Sequence, residues 1–156
     1  MSDFEKLYHT YIDMVYEICV MYLKNTHDAQ DAAQDTFAKV LCAKSVPTDP
    51  VYAKAWLIVV TKNVCKNKLR RQKLQRMFLH AYSDDESPVN ALIKSELHRM
   101  ILDLPENIKL SIYLHYYVGY TSAQIGQILG KSDAAVRKYL QQGRQKLKTL
   151  LEEDEL

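Results

Sequence analysis

Glycine and proline are scarce in this chain, four of each in 156 residues. So few breakers exclude a collagenous or low-complexity chain and suit long helices. The three cysteines, at positions 19, 42 and 65, form an odd set without a Cys-x-x-Cys pair. That excludes a disulfide framework and a zinc knuckle, and the three read as buried small apolar residues. No run approaches the ~18–20 apolar residues of a bilayer span. The start, Met1-Ser2-Asp3-Phe4-Glu5, lacks the basic residues and apolar stretch of a signal peptide, so a cytoplasmic protein is expected. Enzyme signatures are missing as well. His9, His27, His80, His98 and His115 form no His-Glu-x-x-His motif, no glycine loop cradles phosphate, and no nucleophile has an evident base. No catalytic residue, metal or cofactor is therefore expected.

What is present is a chain of 18.1 kDa, 47% hydrophobic and 26% charged, enough for one ordinary domain or two very small ones. Its net charge of +2 hides a block pattern: −4 over residues 1–43, +8 over 44–80, −4 over 81–108, +6 over 109–151 and −4 over the tail 152–156. A polyanion responds to local basic patches rather than to net charge, so two basic blocks predict two separate nucleic-acid contacts. Two solvated helix faces are the alternative.

Phe4, Leu7, Tyr8, Tyr11, Val15, Ile18, Cys19 and Tyr22 recur at steps of three and four, which predicts an amphipathic helix over roughly 3–24. Asn25-Thr26-His27-Asp28 offers capping chemistry, and Ala29, Ala33, Phe37, Val40 and Leu41 continue a second helix to about 43. Pro47 and Pro50 break the pattern. A third helix starts near 51 or 52 and runs from Trp56 and Leu57 into the cluster Lys66-Asn67-Lys68-Leu69-Arg70-Arg71-Gln72-Lys73. Ser83-Asp84-Asp85-Glu86-Ser87-Pro88 has the composition of an exposed linker. Further helices are predicted at about 89–103, 106–117, 122–129 and 133–151, with no strand alternation.

The sharpest local signal spans 121–140. A short helix with Ile125, Ile128 and Leu129 inward meets Gly130, which tolerates the left-handed backbone that ends helices, and Ser132 can cap the helix that follows. This is a helix-turn-helix. In its second helix Val136 and Leu140 face the first, while Arg137, Lys138, Gln141 and Arg144 take other directions. Arg reads guanine bidentately, Gln pairs with adenine, and Lys serves phosphates; the small Ala134-Ala135 lets the helix start approach base edges. Gly143 inside this helix costs about 1 kcal/mol relative to Ala, and Asp133 puts a negative charge at the DNA end.

At this point nearly the whole chain resembles a bacterial sigma factor of the extracytoplasmic-function class. Three stretches carry the resemblance: residues 28–37, Asp-Ala-Gln-Asp-Ala-Ala-Gln-Asp-Thr-Phe; Ala55-Trp56-Leu57 with Thr61-Lys62-Asn63 and the basic run to Lys73; and Leu104-Pro105-Glu106 through Tyr116, Gly119 and Tyr120 into the helix-turn-helix. It departs at Ala32-Ala33, Cys42 and Gly143. The resemblance implies an all-α fold of two small helical domains, a region 2-like domain at 1–76 and a region 4-like domain at 93–156, joined by a flexible linker at 77–92.

It further implies core RNA polymerase as partner, through the β′ clamp and the β flap. Asp28, Gln30, Asp31, Gln34 and Asp35 would meet the clamp, Asp28, Asp31 and Asp35 sharing a helix face by their spacing. Tyr52, Lys54, Trp56, Lys62, Asn63, Lys66, Asn67, Arg70 and Arg71 would melt and hold the minus-ten element, with Tyr52 and Trp56 able to stack on unpaired bases. The 45–51 loop would form part of a pocket for a flipped base. Ser132, Ala134, Ala135, Arg137, Lys138, Gln141 and Arg144 would read the minus-thirty-five element. An anti-sigma factor is implied as a regulator, and a monomer when free of partners. The rival from the residues themselves is a stand-alone helix-turn-helix regulator whose N-terminal domain dimerises or senses a ligand; a small enzyme is the third.

Overall fold

The structure, a computed structural model, describes residues 2–79 and 96–154. Among them every regular element is helical, and the chain divides into two compact units, residues 1–90 and 91–156. Most of the linker expected at 77–92, including its acidic stretch, and the start of the helix expected at 89–103 lie outside the described residues. Residues 77–79 continue a helix.

The first unit contains α1 (Asp3–Leu23), α2 (Thr26–Cys42) and α3 (Pro50–Leu79). Ser2 caps α1 by accepting from the Glu5 amide at 3.1 Å. α1 stops because Lys24 turns left-handed, φ 54°, and its amide bonds the Val20 carbonyl. Asn25 follows at once as the cap of α2, accepting from the Asp28 amide at 3.0 Å. The two-residue connection forces α1 and α2 to fold back on each other. Asp49 accepts from the Val51 amide at 2.9 Å, and Pro50 occupies the first position of α3, where its missing N–H has no intrahelical partner to lose.

The core of this unit joins Val15, Ile18 and Cys19 of α1 to Ala29, Ala32, Ala33, Phe37 and Val40 of α2 and Leu57, Ile58, Val64 and Cys65 of α3. Alanines on the buried face of α2 make that face flat, so the bulk comes from α1 and α3. Thr36 and Thr61, both fully buried, satisfy their hydroxyls by donating to carbonyls one turn back, Ala32 O at 2.8 Å and Leu57 O at 2.7 Å. Cys19 and Cys65 are buried as expected; Cys42 is exposed, which corrects its reading as a core residue. It is the last residue of α2. A hydrogen bond with Cys65, and then burial, push the Cys19 thiol well above its ordinary value.

The second unit contains α4 (Glu96–Leu102), α5 (Glu106–Ile112), which runs on into a π-helical segment Tyr113–Val118, α6 (Ser122–Leu129) and α7 (Asp133–Asp154). Ile101, Leu110, Ile112, Leu114, Ile125, Val136 and Leu140 form its centre. Lys109 is only 5% exposed, and its Nζ donates to the Leu102 carbonyl at 3.1 Å, satisfying one of the carbonyls left over at the end of α4. Although counted in the second basic block, it is withdrawn from the surface. Gly143 is buried too: a Cβ there would lie 2.7 Å from both Cγ1 and Cδ1 of Ile112. The glycine that looks costly from helix propensity is thus what lets α7 lie against α5.

Candidate nucleic-acid and polymerase interfaces

The described site residues sort onto three helix faces. On α2, two of the three spaced carboxylates reach toward α3. Asp28 accepts from Gln72 Nε2 at 3.0 Å, and Asp31 sits 3.7 Å from Lys68 Nζ and 3.6 Å from His27 Nε2. Both therefore tie α2 to α3. Gln30, Gln34 and Asp35 are exposed. The face of Gln30 and Gln34 continues through Ala38 to Leu41, which is 64% exposed. Leu41, read from the sequence as part of the inward stripe, stands seven residues from Gln34 and so close to its direction.

On α3, at about 100° per residue, Tyr52, Trp56, Asn63, Lys66, Asn67 and Arg70 fall within about 60° of one direction. Lys62 and Arg71 flank this face, while Lys54 points to the far side of the helix. Tyr52 is 69% exposed and Trp56 half-buried, so one aromatic stands free and the other is braced by the unit beneath it. From Pro50 to Leu79 the helix contains no acidic residue. Lys68 is drawn toward Asp31. The 45–51 loop leads directly into the exposed Tyr52.

The helix-turn-helix has the predicted parts and tighter closure. Thr121 accepts from the Gln124 amide at 3.2 Å while Gln124 Oε1 accepts from the Thr121 amide at 2.9 Å, a reciprocal cap on α6. Gly130 ends α6 at φ 68°, and the Lys131 amide bonds the Gly126 carbonyl at 2.8 Å. The turn passes so close that a Cβ at Gly126 would stand 2.6 Å from the Lys131 carbonyl oxygen. Ser132 spends its hydroxyl capping α7, accepting from the Ala135 amide at 3.1 Å. Asp133 accepts from the Ser122 hydroxyl and lies 3.6 Å from Arg137 Nε, so its charge at the helix start is partly answered.

Opposite the buried Val136, Leu140 and Gly143, α7 exposes Ala134, Arg137, Lys138 and Gln141 together. Gln145, one turn beyond Gln141, shares this face; its i,i+4 spacing from Gln141 was the available signal. Ala135 is half-buried. Arg144 stands at the edge and donates to the Tyr116 hydroxyl at 3.1 Å. Behind it opens a groove of about 510 Å³ between α4, the π-helical segment and α7, lined by Leu97, Ile101, Tyr116, Tyr117, Leu147 and Leu151 among others. Nothing in the sequence pattern marks this groove, because its apolar residues come from three separated segments.

Residues 7–75 match the family described as Sigma-70 region 2, and residues 94–147 match Sigma-70, region 4. The chain is 26% identical to the ECF RNA polymerase sigma factor SigE of Mycolicibacterium smegmatis, over 97% of this chain and 62% of that protein. It is 25% identical to the ECF RNA polymerase sigma factor SigW of Bacillus subtilis, over 95% of this chain and 88% of that one. The chain belongs to the sigma-70 family, in its extracytoplasmic-function class. The fold of this sigma factor is that of RpoE from Bartonella quintana, solved in complex with the anti-sigma factor NepR. The TM-score is 0.79, over 97% of this chain and 98% of that one, at 15% identity. CnrH, solved with the cytosolic domain of CnrY, matches at TM-score 0.67 and 22% identity over 97% and 88%. Among the described residues no helix is long and apolar enough to cross a membrane, and no cluster of His, Cys, Asp and Glu could hold a metal ion.

Proposed function

We propose that this sigma factor binds core RNA polymerase and directs it to specific promoters, acting in the cytoplasm and contributing no catalytic step of its own. The observation that carries the reading is the pairing of two basic, solvent-facing helices, α3 and α7, in two separate units, each lying mostly within a matched region of one family. α3 takes the minus-ten element. Its exposed Tyr52 and braced Trp56 offer stacking surfaces for unpaired bases, each worth about 1–3 kcal/mol, and Asn63, Lys66, Asn67 and Arg70 continue the same face. Capture of those bases supplies the free energy of strand opening. α7 takes the minus-thirty-five element in the major groove, with Arg137 and Gln141 as base readers and Lys138 on phosphate.

The polymerase contact is assigned to Gln30, Gln34, Asp35 and Leu41 of α2, facing the β′ clamp. Asp28 and Asp31 act from behind by holding α2 on α3. The apolar groove of the second unit is assigned to the β flap: it is open and apolar, with Arg144 and Lys148 beside it, and lies off the DNA-reading side of α7. An anti-sigma protein that covers these faces is the expected regulator, as RpoE, which shares the fold, was solved with the anti-sigma factor NepR.

The test is transcription by purified core polymerase on a promoter library, with and without this chain. Specific start sites that appear only with the chain support the reading. Binding to a palindrome as a dimer, with no effect on core polymerase, would instead establish the stand-alone regulator.

A further inference from the structure

The minus-ten face of α3 does not stop at Arg70. Leu74, Met77 and Phe78 are 45%, 63% and 79% exposed, and helical geometry puts them in the direction of Tyr52, Trp56, Asn63 and Arg70, or within one side chain of it. Three large apolar side chains at steps of three and four on an exposed helix end call for an occupant. Their surroundings name its charge: Arg70, Arg71, Lys73 and Arg76 surround them, and the helix has no carboxylate anywhere to oppose a polyanion. An acid-free, cation-rimmed apolar stripe, continuous with a nucleic-acid face, suits DNA whose base steps accept Phe, Leu or Met as wedges.

We propose that Leu74, Met77 and Phe78 form an apolar wedge that enters the promoter duplex adjoining the bases held by Tyr52 to Arg70. The proposal rests on α3 being the minus-ten face. At 1.5 Å per residue, Trp56 and Phe78 are separated by about 33 Å along α3, close to one turn of B-DNA. The wedge therefore falls within about ten base pairs of the stacked bases, beyond the Arg70 end. Partial unstacking is least costly at TA and CA steps, so the wedge adds a sequence preference at a position where no hydrogen bond reads a base.

The experiment uses holoenzyme made from core polymerase and the full chain. 2-Aminopurine is walked through the ten base pairs flanking the minus-ten element on the Arg70 side. The expected result is a fluorescence rise at one flanking step. It is lost in Met77→Ser with Phe78→Ser, kept in Phe78→Leu, and accompanied by about a tenfold weaker open complex for the double variant. Both changes are exposed and polar, so circular dichroism and core-polymerase pull-down should match the unaltered chain. A flank that stays stacked, while the minus-ten bases give their own signal, overturns the wedge alone. So does a double variant that loses core polymerase with its DNA signal intact, since the stripe would then be a protein contact. If α3 crosslinks to no promoter base, the minus-ten reading fails first and takes the wedge with it.

Discussion

Gly126→Ala sets local propensity against tertiary closure, and the sign of the outcome decides between them. In an isolated α6 the change favours the helix by about 1 kcal/mol, because Ala loses less backbone entropy than Gly. In the folded unit the added Cβ would stand 2.6 Å from the Lys131 carbonyl oxygen, a backbone atom. That oxygen cannot rotate away as a side chain would; the turn has to open. Opening it strains the 2.8 Å bond from the Lys131 amide to the Gly126 carbonyl, worth about 0.5–1.5 kcal/mol net, and overpacking adds about 1–3 kcal/mol. Closure outweighs propensity, leaving a net loss of about 1–3 kcal/mol. For a unit of this size about 1 kcal/mol moves the melting midpoint by roughly 4–8 °C, so a fall of some 10 °C is expected in the second unit. The assay is thermal unfolding of the full chain. The two units need not melt together, so hydrogen exchange at α6 and α7 assigns the transition. Binding to a minus-thirty-five duplex should weaken in parallel, because the turn sets how α7 is presented. A variant more stable than the parent by about 1 kcal/mol would refute the reasoning, for it would mean the turn yields freely.

Five further outcomes are expected. Asp35→Lys should abolish pull-down of core polymerase with unchanged urea unfolding, whereas Asp31→Lys, placed against Lys68, should also lower the stability of the first unit; equal unfolding curves for the two would remove the structural role given to Asp31. Arg137→Ala or Gln141→Ala should cost about 1–3 kcal/mol on the upstream element and relax base choice there, and a uniform loss on every sequence would make them phosphate contacts. Lys109→Met should destabilise the second unit by about 1–3 kcal/mol in urea, since it leaves the Leu102 carbonyl buried without this donor. Iodoacetamide should label Cys42 in the native chain while sparing Cys19 and Cys65. Because the folded Cys19 thiol is held above its ordinary 9.0, the unfolded state releases that proton first as pH rises. The first unit should therefore lose stability above about pH 8.5, and a flat profile from pH 8 to 10 would contradict the buried pair.

The helices themselves were largely legible, because the apolar spacing and the caps Asn25 and Ser132 are local. The charge blocks were legible as well, since they need only counting. What one helix does with a side chain was not. Asp28 and Asp31 look like surface carboxylates until α3 brings Gln72 and Lys68 beside them. Lys109 looks basic and exposed until the end of α4 meets it. Leu41 fits an inward stripe by spacing, but it stands on the exposed side of α2 with Gln34 while Val40 beside it is buried.

Periodicity, capping and charge along the chain were thus enough to specify an all-helical protein with two basic faces and a helix-turn-helix, because each depends on residues within a turn or two of one another. The tertiary structure alone decided which carboxylates remain available to a partner, why Gly126 must be glycine, what packs against Gly143, where the apolar groove opens, and that the α3 face ends in exposed Leu74, Met77 and Phe78. The physical reason is the same in each case: burial and close approach are set by a second helix distant in sequence, and no single segment contains the information about what will be packed against it.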